Sequence, residues 1–174
     1  MTLLKKVGSL LLGCTLSITA SADLSQCQSE LQLSDAQMET LSWARERGRE
    51  HDLGDTMMTL ALKESSAGKY LMNARTDDYG VFMISLPTAH GLLKPKGDFE
   101  RYSIIPQQLI EDRELNARLA VETLLFWKKH RSSYEDMIRS YNAGYRKSSS
   151  AGTVYWEGFR KLFHKLRKAN CFVN

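Results

Sequence analysis

Residues 57–62 read Met-Met-Thr-Leu-Ala-Leu, and the acid Glu64 follows two positions later. A helix that is apolar on nearly every side cannot lie on a surface, so this stretch must run through the centre of whatever the chain folds into. Gly54-Asp55 marks its start. Glu64 then sits at its C-terminal end, beside apolar bulk and at the negative pole of the helix dipole. Both surroundings disfavour a charged carboxylate. A lone Glu at a helix end is more often a surface residue, so the assignment of chemistry to Glu64 depends on the rest of the pattern.

The period is helical almost throughout. Ser34-Asp35-Ala36-Gln37 reads as a capping box opening a helix through Met38, Leu41 and Ala44 toward Glu50. Residues 67–78 have no period and are expected as a loop, 84–93 as a short helix, and 94–103, with Pro95 and Gly97, as another loop. Pro106 opens a helical turn. Residues 114–129 form the longest clear helix, with Leu115, Leu119, Val121, Leu124 and Leu125 on its apolar side. A helix over 134–141 stops at Asn142-Ala143-Gly144. Residues 147–152 read as a Ser-rich loop. Residues 154–168 form the last helix, packing Trp156, Phe159, Leu162, Phe163 and Leu166. Only 80–84 could make a minor strand. The expected fold class is mainly α, with little or no β-structure.

The first residues are not part of that fold. Lys5 and Lys6, an apolar run over 7–18, and Ala20-Ser21-Ala22 have the order of a secretory signal peptide cleaved after Ala22. The run is too short for a spanning helix, which needs ~20 apolar residues. Leu11-Leu12-Gly13-Cys14 also has the look of a lipoprotein processing site, the second reading of this segment. Residues 1–22 are thus expected as a signal peptide and 23–174 as one domain, periplasmic or secreted, with no stable membrane anchor after cleavage. Of the 3 cysteines, Cys14 leaves with the signal. Cys27 and Cys171 remain, and an exported protein most simply pairs them. The His and Cys residues are scattered without metal-ligand spacing, so no metal and no cofactor is expected. A net charge of +4, part of it lost with Lys5 and Lys6, is too mild to argue for a nucleic-acid partner. The basic residues of the tail, Arg160, Lys161, Lys165, Arg167 and Lys168, read as a solvated helix face. A weak attraction to an anionic cell wall is their functional alternative.

Three short motifs carry the chemistry: Glu64-Ser65-Ser66, then Gly80-Val81-Phe82-Met83-Ile84-Ser85 after Tyr79, then Ser140-Tyr141-Asn142-Ala143-Gly144. In this order the set resembles the soluble lytic transglycosylase family over roughly residues 55–144. The resemblance implies a lysozyme-like domain that acts on peptidoglycan glycan strands at the MurNAc–GlcNAc β-1,4 bond. It implies Glu64 as the catalytic acid and Ser65 as its neighbour near the substrate. It further implies a substrate-binding strip at Gly80, Val81, Phe82 and Met83, with Tyr141 and Asn142 across the cleft. Family members carry Gln where this chain has Met83, and Met has no amide to donate. Pro87-Thr88-Ala89 is similar to a further family segment, and Asn116 falls on the family's long helix before the Tyr-Asn motif.

No second catalytic carboxylate belongs to the motif set. The resemblance implies that the sugar's own N-acetyl or 6-hydroxyl group completes the reaction and leaves a 1,6-anhydro end. Asp77 and Asp78 supply the rival reading, a hydrolytic muramidase with a second carboxylate; a polar turn is the simpler account of the pair. A third reading is a catalytically weak peptidoglycan-binding component of a secretion or conjugation machine.

Overall fold

The computed structural model describes residues 18–172, with side chains from Leu24 onward. The expected signal-peptide features over residues 1–17 lie outside the described residues. Eight helices dominate: α1 (Ile18–Leu31), α2 (Asp35–Gly48), α3 (Gly54–Ser65), α4 (Leu86–Leu93), α5 (Ile105–Glu111), α6 (Arg113–His130), α7 (Tyr134–Ala143) and α8 (Ser150–Lys168). The chain is mainly α, as its periodicity requires.

The apolar run behaves as its composition dictates. In α3, Met57, Leu60 and Ala61 have no exposed surface and Met58 has 1%. α3 packs chiefly against α2 and also against α8, while α7 joins α6 to α8. The Ser34 box closes as read: its hydroxyl accepts from the Gln37 amide N–H, and the Gln37 side chain accepts from the Ser34 N–H at 3.0 Å. Trp43 of α2 meets Phe82 at 5.9 Å between ring centroids, which ties the strip to the core.

Four elements differ from expectation. α1 was not legible; it carries Cys27, which pairs with Cys171 beyond α8 across 144 residues. Residues 67–78 are not all loop. Met72–Asn73 (β1) and Asp78–Tyr79 (β2) pair antiparallel, and β2 pairs with Ile84–Ser85 (β3). Two-residue strands leave no sequence period, and this small sheet is made by a turn rather than by strand propensity. The strand therefore lies at 84–85, not across 80–84, and α4 starts at Leu86 with Ser85 as its N-cap. Finally, the Ser-rich segment ends early: Ser149 caps α8 from Ser150 onward. Gly152 is buried there, and a Cβ at this position would stand 2.4 Å from the Lys147 carbonyl oxygen, so the close approach requires glycine.

Among the described residues no helix is long and apolar enough to cross a membrane. No group of three or more His, Cys, Asp or Glu among them could hold a metal ion.

Candidate active site

The end of α3 is shaped to present one side chain. After Ser65 the chain reverses through Ser66, Ala67 and Gly68, at φ 53°, 57° and 83°. Two non-glycine residues in the left-handed region make an uncommon run. Ser65 holds the reversal together: its hydroxyl donates to the Ala61 carbonyl at 3.1 Å and accepts the Gly68 N–H at 2.8 Å. Ser65 is wholly buried and does not line the cleft. Its hydroxyl has structural work instead of sugar to bind, and the substrate contact expected of it has no surface to act through.

Glu64, one residue earlier, opens onto a cleft of about 420 Å³. Met83, Tyr141, Asn142, Trp127 and Tyr155 share that wall. Burial pushes the Glu64 carboxyl up to about 7 from 4.5; a hydrogen bond from Tyr155 and the charge of Lys63 oppose the rise, and Asp78 adds to it. The Tyr155 hydroxyl donates to Glu64 Oε1. Burial first, and the Glu64 charge next, raise both Tyr155 and Tyr141 well above the ordinary phenol range, so both phenols stay protonated donors. The arrangement is an acid that can hold a proton near neutral pH between two hydroxyl groups that cannot take it away.

Tyr141 lines the cleft, and Asn142 is exposed beside it. The Tyr141 hydroxyl bonds not to Glu64 but to the Phe82 carbonyl at 2.9 Å. The phenol bound to the acid is Tyr155, which the sequence reading passed over. A signal was present: Tyr155 lies four residues before Phe159 and eleven before Leu166, on one buried helix face. A phenol on such a face requires a partner.

The strip divides in two. Met83, Ile84 and Ser85 line the cleft, whereas Gly80, Val81 and Phe82 are buried behind it. Gly80 was expected to let backbone approach a ligand. It lets backbone approach Asn116 and Leu109 instead: a Cβ would stand 2.2 Å from Asn116 Nδ2 and from the Leu109 carbonyl oxygen, and φ is +82°. Asn116, also wholly buried, donates Nδ2 to the Tyr79 carbonyl and accepts the Phe82 N–H through Oδ1, both at 2.9 Å. It is a staple from α6 to the strip, not a sugar contact. Phe82 thereby spends its N–H on Asn116 and its carbonyl on Tyr141, which fixes the height of Met83. Met83 itself is held at φ 46°, a conformation that costs a side-chain-bearing residue of order 1 kcal/mol.

The two aspartates separate. Asp78 lines the cleft, where burial raises its carboxyl and a hydrogen bond from Thr76 (2.6 Å) opposes the rise. Asp77 is exposed and accepts a hydrogen bond from the Tyr79 hydroxyl at 3.3 Å.

The Tyr155 bond can be tested without any assay of activity. Because it lowers the Glu64 pKa, Tyr155→Phe should move the Glu64 titration to higher pH, read by carboxyl NMR. An unchanged midpoint would show that this hydrogen bond is absent in solution. No family model, no curated protein and no solved structure matches this chain.

Proposed function

We propose that this protein is an exported lytic transglycosylase with a lysozyme-like helical domain, acting on the MurNAc–GlcNAc β-1,4 bond of peptidoglycan. One observation carries the reading: a single glutamic acid, raised to about 7, opens onto a cleft between two protonated tyrosines. The three motifs supply the family, and the Cys27–Cys171 bridge suits an oxidising compartment.

The chemistry follows from the proton. Glu64 gives it to the glycosidic oxygen as that bond breaks, and positive charge develops at the MurNAc anomeric carbon. The ionised carboxylate then removes the proton of the sugar's 6-hydroxyl, whose oxygen bonds to the anomeric carbon. Glu64 ends protonated, and the product carries a 1,6-anhydro ring. Tyr155 steadies the carboxylate between the two steps, because a hydrogen bond to the charged form favours it.

Asp78 on the cleft wall supports a second reading, in which it assists a water and the enzyme is a muramidase. Mass spectrometry of sacculi digested with the mature protein separates the two. Anhydro ends support the transglycosylase, reducing ends the muramidase, and an absence of products would leave a peptidoglycan-binding component and end the enzymatic proposal.

Met83 gives a further test. It lines the cleft and is half-buried, so Met83→Gln should add one neutral hydrogen bond to a bound sugar, worth about 0.5–1.5 kcal/mol. The expected result is tighter binding of chitooligosaccharide with unchanged melting. Lowered melting with unchanged binding would place the side chain in the core.

A further inference from the structure

One charged group on the cleft wall has no part in the chemistry above. Arg146 is the only cationic side chain lining the cleft among the described residues. It is exposed and forms no ion pair with any of them, whereas its neighbour Lys147 is paired with Asp136. The charges that bear on Glu64 come from Lys63 and Asp78, which sets Arg146 apart from the proton transfer.

A solitary surface arginine is ordinary, but this one stands on a built support. Residues Gly144–Arg146 form a single 3-10 turn after α7. Gly144 adopts φ 59°, ψ −131°, with open space where a Cβ would be. The glycine is there for its backbone conformation, not for room. Arg131 braces the turn: it donates to the Ser140 hydroxyl at 2.7 Å and to the Gly144 carbonyl at 3.4 Å. Its guanidinium also lies 4.5 Å from the Trp127 ring centre and 5.5 Å from that of Tyr145. Tyr145 meets Trp127 edge-on at 5.0 Å and is still 76% exposed. One arginine is thus consumed in holding the turn, and the other is left with five N–H donors over the cleft.

We propose that Arg146, carried on this braced turn, is an anion-reading subsite that takes a carboxylate borne by the glycan substrate. This rests on the glycan-cleaving reading of the same cleft. A planar guanidinium suits a carboxylate, which it can meet with two parallel hydrogen bonds. Two carboxylates are available on such a strand: the lactyl group of MurNAc where the stem peptide is absent, and the acidic residues of the stem where it is present. A chitin-type strand has neither. The subsite would therefore make the cleft prefer wall glycan to neutral glycan of the same backbone.

Binding is measured by calorimetry in a Glu64→Gln background, so that no ligand is consumed. The ligands are chitooligosaccharide, peptide-free glycan fragments and peptide-bearing fragments. Arg146→Met should weaken binding of at least one anionic ligand by about five- to thirtyfold, and change chitooligosaccharide affinity by less than about twofold. The selectivity should shrink with added salt. The anionic ligand that is affected names the carboxylate. Arg146→Lys keeps the charge but not the fork and should recover only part of the loss. Equal losses on neutral and anionic ligands, or none on either, would overturn the subsite. The unaltered protein is tested on sacculi in parallel. Cleavage with no Arg146 selectivity removes the subsite alone. Arg146-dependent binding without cleavage removes the enzymatic reading alone, and no binding of any glycan removes both.

Discussion

Glu64→Gln should abolish peptidoglycan cleavage and, above neutral pH, make the protein more stable. The first effect is the loss of a transferable proton, commonly worth 10²–10⁴-fold and more where no other acid is present. Residual activity within about tenfold of the parent, a barrier change of only ~1.4 kcal/mol, would remove Glu64 from the role. The second effect follows from the raised pKa, about 7 in the fold against 4.5 when free. Stability that depends on protonated Glu64 is fully present below about 4.5. It drains as pH rises and is gone once pH passes the folded value near 7. An ionised Glu64 should therefore cost the fold about 3 kcal/mol above pH 7 relative to a neutral isostere. Gln keeps an oxygen to accept the Tyr155 hydrogen bond and does not ionise. Parent and variant should melt alike at pH 4 and diverge by pH 8, with the variant higher. Equal melting at pH 8 would mean that the carboxyl is solvated.

Breaking the Cys27–Cys171 bond should have the largest effect on stability. It spans 144 residues of sequence, and loop closure of that size contributes up to about 5 kcal/mol through the unfolded chain. Domains have only about 5–15 kcal/mol in total. For a chain of this size, each kcal/mol moves the midpoint by about 2–4 °C, so Cys27→Ser with Cys171→Ser should lower melting by roughly 10–20 °C. Non-reducing mass analysis should show the intact protein ~2 Da lighter than its reduced form. Two alkylatable thiols in material that was never reduced, or a double variant that melts with the parent, would contradict the bridge.

Much of the helical framework was legible because the apolar period of α3, α6 and α8 survives in the sequence, and because Ser34 with Gln37 has one simple use. α1 was hidden beneath a segment that reads as a signal. The sheet was hidden because strands of two residues carry no alternation. Within the site, Glu64, Met83, Tyr141 and Asn142 were found from motif order and do line one cleft. Ser65, Gly80 and Phe82 were found by the same route but are spent on folding. Motif order marks a residue as needed without saying whether its partner is protein or ligand. Tyr155 was missed for the opposite reason: it belongs to no motif in the set, and its proximity to Glu64 is created only when α8 crosses α3.

The cystine also changes the topology of the polypeptide. With Cα atoms 5.0 Å apart, Cys27 and Cys171 turn the intervening chain into a covalent ring. A single proteolytic nick, for example at the exposed Lys96 and Gly97, opens that ring without yielding two fragments. Until the sulfurs are reduced, the nicked and intact species have nearly the same mass, differing by one water. Both cysteines are buried, so the ring is closed inside the fold and not at its surface.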